Sequence, residues 1–353
     1  MMKVLVLASR PLEHSGITKI EMDVVDYIGS SATLEVACSF GFDNEYGEIL
    51  NKKKIKCIVL PQKKKTISYM RAIKKIIKDD AIDVVYINGN SAMMVFDALP
   101  SKIAGAKVVT HCHNTKTDFP IINYLAKPLF NLVVDKKIGV SKLASEWAYW
   151  GRNVTTIPNG VDLDRFKIDL KKRDDFRKQL GIDDKHVYGH IGNFNKQKNH
   201  ERLLSIFSEI LKKDCNAVLL LIGDGELKRH IIETAEQDGL SNNIIYQDFC
   251  NRPEDYYQVM DLIIMPSLHE GLCLAALEAQ ACGVPILVSD VFAEETFVVD
   301  NCRKLSLDEN DEQWAELSIS MINLARKDES EKFLEKKMDY ESMMSRIVET
   351  IIA

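Results

Sequence analysis

Short β-branched runs alternate with amphipathic helical stretches along this chain, and that alternation restricts its fold more than any other feature. Strand-like runs fall at residues 4–8, 34–38, 57–60, 84–87, 108–111, 137–140 and 154–157. Helical periodicity fills the gaps at 18–28, 67–78, 92–103, 121–130 and 142–150. Strands joined by helices through short connections lie parallel, with helices covering both faces of the sheet. The pattern then restarts, with strands at 187–191, 218–222, 244–247, 262–265 and 286–288 and helices at 199–212, 226–237, 253–260 and 274–282. Such a restart in 353 residues means two doubly wound α/β domains. The break falls at Ile157-Pro158-Asn159-Gly160-Val161-Asp162, where Pro-Asn-Gly marks a turn. The first domain is therefore read as 1–165 and the second as 166–334. After about 305 the chain turns helical, with apolar spacing at Met343, Ile347 and Ile351. Open α/β sheets bind ligands at the carboxyl ends of their strands, so two such sheets facing each other leave a central cleft for a ligand.

Composition narrows the ligand. No run approaches the roughly 20 apolar residues that span a membrane, and the N-terminal stretch is too short and polar-flanked for a signal peptide. The eight cysteines form no C-x-x-C pair and read as reduced thiols in a cytoplasmic protein. Cys112 stands between His111 and His113, but no second ligand cluster accompanies it, so no metal is expected. The net charge of −6 conceals an asymmetry: residues 1–165 carry +6 and the remainder −12. The sharpest basic cluster is Lys52, Lys53, Lys54, Lys56, Lys63, Lys64 and Lys65, running into a helix with Arg71, Lys74, Lys75 and Lys78. It reads as a solvated face or as a surface for an anionic membrane or a phosphate-bearing acceptor. Nucleic acid is not expected, because no aromatic residues interleave with the cations.

Five segments lie at predicted strand ends or helix starts. Glu270 and Glu278 stand eight residues apart in Pro266-Ser267-Leu268-His269-Glu270-Gly271-Leu272-Cys273-Leu274, which continues through Ala275-Ala276-Leu277-Glu278-Ala279. Carboxylates in a cleft are costly unless they bind something, and a hydroxyl-rich ligand such as a sugar or a ribose suits them. Ser15-Gly16-Ile17-Thr18 opens a helix after the first strand, where a glycine lets backbone approach a phosphate. His111-Cys112-His113-Asn114 ends a strand, and there His113 is either a hydrogen-bonded structural residue or a ligand contact. Lys198, in the segment from Gly192 to Asn199, is either solvated or set to neutralise a diphosphate. Gly223-Asp224-Gly225-Glu226 is a strand-to-helix turn.

Taken in order, these segments resemble the family-4 retaining glycosyltransferases of GT-B fold. Glu270 and Glu278 match that family's E-x7-E spacing, with Pro-Ser-x-x-Glu-Gly before and Glu-Ala-Gln-Ala-x-Gly-x-Pro after. Gln197-Lys198-Asn199-His200 together with His111-Cys112-His113-Asn114 looks most like enzymes of capsular or exopolysaccharide assembly. The resemblance implies that the C-terminal helices, about 335–353, return to the first domain. It further implies a nucleotide-sugar donor, expected to be a UDP-sugar, and a polyprenyl-phosphate-linked acceptor met at the inner face of the cell membrane. Glu278 would bind the ribose, Glu270 the donor sugar near the reacting carbon, and Lys198 the diphosphate. Backbone amides of Gly271, Leu272, Cys273 and Leu274 would support the diphosphate, Gly16 would let the first domain's loop approach it, and His113 would sit near the transferred sugar. Phe249 and Cys250 would lie at the nucleobase. No cofactor and no metal are implied. Two positions depart from the family: Asn193 stands where an arginine is usual, and Cys273 where proline or glycine is common. Two alternatives stay open: a nucleotide-sugar epimerase of the same fold, and a non-catalytic GT-B subunit that supports a partner transferase, which the missing charge at Asn193 favours.

Overall fold

The computed structural model describes residues 1–13, 15–117, 119–248 and 252–353. The chain divides into two compact units, one of Met1–Asn159 with Glu341–Ala353 and one of Gly160–Tyr340. The first break therefore follows the Pro-Asn turn itself, where the sequence reading set 165, and the chain rejoins the first unit at Glu341, where it set about 335.

In the first unit the elements run β1 (Lys3–Ala8), α1 (Gly16–Ile28), β2 (Thr33–Cys38), α2 (Glu45–Lys52), β3 (Lys56–Val59) and α3 (Thr66–Asp79). There follow β4 (Val84–Gly89), α4 (Val95–Ala104), β5 (Lys107–Cys112), α5 (Pro120–Val133), β6 (Lys136–Gly139), α6 (Lys142–Tyr149) and β7 (Val154–Thr156). The second unit holds α7 (Leu170–Leu180), β8 (His186–Ile191), α8 (His200–Lys213), β9 (Ala217–Ile222), α9 (Lys228–Gln237) and β10 (Ile244–Gln247). It continues with α10 (Pro253–Val259), β11 (Leu262–Met265), α11 (Leu274–Ala281), β12 (Ile286–Ser289), β13 (Cys302–Leu305), α12 (Asp311–Met321) and α13 (Ser330–Glu335). The last helix, α14 (Tyr340–Ile352), packs in the first unit, where Arg346 donates to the Thr156 carbonyl (2.7 Å).

Each unit is one wholly parallel sheet, in the orders β3-β2-β1-β4-β5-β6-β7 and β10-β9-β8-β11-β12-β13. Strand β9 (Ala-Val-Leu-Leu-Leu-Ile) is buried along its whole length, as a strand covered on both faces must be. Right-handed crossovers put α3, α4, α5 and α6 in one layer of the first unit, because the chain steps in one direction from β3 to β7. The strand order reverses between β1 and β4 and between β8 and β11, so the loops after β8 and β11 leave neighbouring strand ends.

A single device sets the strand starts. Asp83, Asp135 and Asp261 each precede a strand by one residue and accept the N–H of the first residues of the neighbouring strand. Lys3 donates to Asp83, Val108 to Asp135 and Val187 to Asp261, each at 2.8 Å. Parallel strands have no hairpin to fix their register, so this bond does that work at the amino end. Asp261 also pairs with Arg173 and with Arg177 (3.1 Å), which fastens α7 to the sheet. That explains a helix whose sequence, Leu-Lys-Lys-Arg-Asp-Asp-Phe-Arg-Lys-Gln-Leu, shows almost no apolar face.

The basic cluster of the first unit is partly internal. Lys63 bonds the fully buried Asp97 (2.9 Å), and Tyr69 donates to the other oxygen of the same carboxylate. Lys53 pairs with Asp26 and Lys56 with Asp80, although both of these lysines stay exposed. Lys64, Lys65, Arg71 and Lys74 remain exposed on and before α3. Among the described residues no helix is long and apolar enough to cross a membrane.

Removing the Asp261 carboxylate strands two guanidinium groups and one backbone N–H. Asp261→Ala is expected to lower stability by about 3 kcal/mol, read as a shift of the urea midpoint. Asp79→Ala, which breaks only the exposed pair with Lys75, should leave the midpoint unchanged.

Candidate active site

The carboxyl end of β8 builds the first wall of the site in the second unit. Gly192 donates to the Ile222 carbonyl (3.0 Å), and Phe194 donates to that of Asp224 (2.9 Å). The turn after β9 lies directly on this loop. A Cβ on Gly223 would stand 2.1 Å from the Gly192 carbonyl oxygen, and one on Gly225 2.6 Å from that of Phe194. Both glycines have positive φ, so Gly-Asp-Gly is demanded twice, by backbone conformation and by space. The Asn195 side chain then accepts from Lys198 N (3.2 Å) and closes a single tight turn over Lys196–Lys198.

Two bonds tie this turn to the loop after β11. Asn199 Nδ2 donates to the Pro266 carbonyl (3.0 Å), and Leu268 N donates to that of Gln197 (2.8 Å). They bring Lys198 Nζ to 2.7 Å from Glu270 Oε1, with the two side chains only 15% and 6% exposed. Cys273 Sγ lies 3.8 Å from the same ammonium. Burial alone would push the lysine pKa down, but Cys273 and Glu270 outweigh it and hold it above the ordinary value. Burial also raises the Cys273 thiol pKa, and Glu270, at 2.7 Å, supplies the opposing charge. A buried ion pair is stabilising only when its remaining donors and acceptors are satisfied. Lys198 has three N–H donors, and the pair with Glu270 uses one.

Two histidines complete this wall: His190, which no sequence segment singled out, and His200, which ends the Gln197-Lys198-Asn199-His200 run. His190 Nδ1 donates to the Ile264 carbonyl (2.9 Å), which fixes the tautomer and leaves Nε2 as an acceptor. That Nε2 is buried without a hydrogen-bond partner. A Cβ on Gly192 would stand 3.3 Å from it and 3.1 Å from Lys198 Cε, so His190 and the lysine stem converge over this glycine. Burial lowers the His190 pKa to about 4, and the neighbouring Lys198 acts in the same direction. His200 stacks on Phe194 (4.2 Å between centroids) and meets His190 edge-on, and burial holds it to about 2. Both imidazoles are neutral at physiological pH.

Gly271, Leu272 and Cys273 are buried and lead into α11, which begins at Leu274 with no side-chain cap from Cys273. An uncapped helix start offers N–H groups and positive potential to an anion. Glu270 therefore lies in the loop before α11, and Glu278 on the helix. Glu278 Oε2 accepts from the Tyr257 hydroxyl (3.0 Å), whose ring is fully buried on α10. Tyr257 is a second residue that the motif spacing did not reveal. Asn193 is exposed, and its position carries no charge. A cation does stand beside this loop: Lys228 bonds the Gly223 carbonyl (3.0 Å) and lies over the Phe194 ring. Phe249 and Cys250 fall outside the described residues.

In the first unit, Gly16 is the first residue of α1, behind a Ser15 cap that accepts from Thr18 N (3.2 Å). His113 follows β5, and its Nε2 donates to Asn88 Oδ1 (2.8 Å) at the end of β4. Its ring lies against His111 (4.0 Å between centroids), and burial lowers its pKa. His111 is turned inward onto the Tyr86 hydroxyl (2.8 Å), so of the two histidines only His113 is partly exposed. Among the described residues no three His, Cys, Asp or Glu side chains are grouped as metal ligands.

The chain matches two family models, Glycosyltransferase Family 4 over residues 32–165 and Glycosyl transferases group 1 over residues 172–337. EpsF of Bacillus subtilis, named as a glycosyltransferase, is 29% identical over 264 residues, covering 71% of this chain and 69% of that one. The UDP-Gal:alpha-D-GlcNAc-diphosphoundecaprenol alpha-1,3-galactosyltransferase of Escherichia coli is 25% identical over 68% of this chain and 66% of its own. Anabaena Alr3699/HepE, solved in complex with UDP, superposes with a TM-score of 0.81 over 99% of both chains at 19% identity. The likeness to HepE shows the GT-B fold, and with one model over each unit the chain belongs to the family-4 glycosyltransferases.

Proposed function

We propose that this protein is a retaining glycosyltransferase that moves a sugar from a UDP-sugar to a lipid-linked saccharide acceptor in capsular or extracellular polysaccharide assembly. The observation that carries the reading is the Lys198–Glu270 pair beside the uncapped start of α11. A diphosphate offers Lys198 acceptors for its unused N–H groups, while the amides at Gly271, Leu272, Cys273 and Leu274 receive the other oxygens. Glu270 then serves the donor sugar near its reacting carbon. Glu278, steadied by Tyr257, binds the ribose hydroxyls. Leaving-group charge is stabilised by fixed dipoles and one cation, without a metal. The acceptor hydroxyl attacks on the face the diphosphate leaves, and a phosphate oxygen takes its proton. In the first unit, Gly16 at the start of α1 would leave room for a phosphate, and His113, neutral and oriented by Asn88, would contact a sugar.

The donor class is supported by UDP in the HepE complex and by UDP-Gal in the name of the E. coli relative. The lipid-linked acceptor is supported by the diphosphoundecaprenol in that same name. An enzyme acting on such an acceptor would work in the cytoplasm, peripheral on the inner face of the membrane. The uncharged Asn193 favours one second reading, a GT-B subunit that binds donor without turning it over. Incubation with donor and acceptor separates the two, since only the transferase yields a glycosylated acceptor. A donor-only incubation that yields a new nucleotide sugar would instead indicate an epimerase.

Across a panel of nucleotide sugars, one UDP-sugar should raise the melting temperature by mass action. Glu278→Gln, which keeps an acceptor for the Tyr257 hydroxyl, should erase most of that shift; an undiminished shift would remove the ribose role. Lys198→Met should lower kcat on the order of 100-fold or more, the size of losing one fixed transition-state donor. Steady-state rates of transfer check it, and a change confined to KM would move Lys198 out of the reacting centre. Asn193→Arg should tighten UDP binding by roughly tenfold, the worth of one added charge-assisted hydrogen bond, measured by calorimetric titration.

A further inference from the structure

Helix α5 is built inside out. Its inward face carries Asn123 and Lys127 with Phe130 and Val133, and all four are buried. Both polar residues are satisfied there. Asn123 accepts from Ala92 N (2.9 Å), and the Lys127 ammonium lies 4.8 Å over the Trp147 ring. These contacts fix the rotation of the helix and turn its apolar residues outward. Ile121, Tyr124, Leu125 and Leu132 are 75%, 71%, 70% and 79% exposed, and Leu129 and the preceding Phe119 join them. Exposed large apolar side chains are ordinary when scattered, but a stripe along one helix marks a surface made to be covered.

We infer that this face of α5 inserts into an anionic lipid surface. Charge selects the occupant. From Pro120 to Val133 the helix holds no acidic residue. Exposed Lys116 precedes it, with Asp118 between them in the sequence, and exposed Lys136 follows it, ahead of Lys137. The nearby Asp135 is already engaged by Lys102 and by Val108 N. Apolar residues flanked by cations match the boundary between acyl chains and anionic headgroups. The same helix layer carries α3, which touches α4 as α5 does, and presents Lys64, Lys65, Arg71 and Lys74 outward. Helix α3 turns Tyr69, Ile73 and Ile77 inward, so it can attract such a surface but not enter it. A second copy of the chain is a poorer fit, because pairing α5 with itself in antiparallel fashion brings Lys116 against Lys136. The inference rests on the membrane location proposed above and names the surface that makes it, while its test needs no transfer reaction. Helix α5 is the next element after β5 and the His113 that follows it, so the two are close in the chain.

Vesicle flotation without any nucleotide or acceptor tests the inference independently of the transferase reading. The wild-type chain should float with vesicles of phosphatidylglycerol and phosphatidylcholine, and less with phosphatidylcholine alone. Tyr124→Glu with Leu125→Glu and Leu132→Glu should cut the bound fraction by roughly tenfold or more. Their melting temperature should be unchanged, because the three side chains are exposed. The milder Leu125→Ser with Leu132→Ser should weaken flotation in the same direction. Lys116→Ala with Lys136→Ala should reduce only the binding to anionic vesicles. The inference is overturned if the wild type fails to float, or if the glutamate variant floats as well as the wild type. It is equally overturned if sedimentation without lipid shows a dimer that the glutamate variant breaks.

Discussion

The buried pair between Lys198 and Glu270 is the interaction on which the rest of the second unit is organised. Two opposite charges withdrawn from water are held together only if both backbones are placed to within a bond length. The placement comes from the switch point of the sheet, where the loops after β8 and β11 leave adjacent strand ends. Asn199 and Leu268 lock those loops together, and the Gly223 and Gly225 turn props the first of them from the side. Asp261 fixes the start of β8 against β11, so the same pair of strands is held at both ends. The structural part of the site is thus a clamp, and its free valences point to where an anion is expected.

Around this pair the protein keeps its histidines neutral. His190 and His200 are shut in aromatic and apolar surroundings that favour the uncharged ring. A charged imidazole beside Lys198 would compete for Glu270 and weaken the pair. The neutral His190 instead keeps Nε2 unprotonated, and that nitrogen and the lysine stem converge over Gly192. His113 in the first unit is neutral for the same reason, and Asn88 orients it. The two units share a pattern in which an imidazole near a strand end is fixed by one hydrogen bond and kept uncharged by burial.

Charge in the first unit also serves different ends at different depths. Lysines that look alike in sequence separate once folded: Lys63 is internal, joined to Asp97, whereas Lys64 and Lys65 face water. Helix α5 reverses the usual rule in the same way. Periodicity alone would bury Ile121, Leu125 and Leu132, yet Asn123 and Lys127 take the inner positions because Ala92 and Trp147 offer them partners. An amphipathic pattern states that a helix has two faces; its neighbours decide which one is hidden.

The strand–helix alternation was enough to read two parallel sheets, and the motif order was enough to read the family, because both depend on local patterns that survive in one dimension. The elements it missed lack such a pattern. Strand β13, Cys-Arg-Lys-Leu, is a short edge strand without β-branched residues, α2 is only two turns long, and α7 is polar nearly all round and held by Asp261. Lys198, Glu270 and Glu278 were legible as candidates, since their spacing is fixed by the strand ends that carry them. Their partners were not. Tyr257 beside Glu278, His190 over Gly192 and the Cys273 thiol at Lys198 come from residues distant in the chain, and only packing brings them together. Sequence by itself determined the parallel sheets, the place of the turn between the units and the motif residues proposed to meet a nucleotide sugar. Tertiary structure alone decided which charges are paired, which imidazole nitrogen is free and which face of α5 is open, because each depends on contacts between elements far apart in sequence.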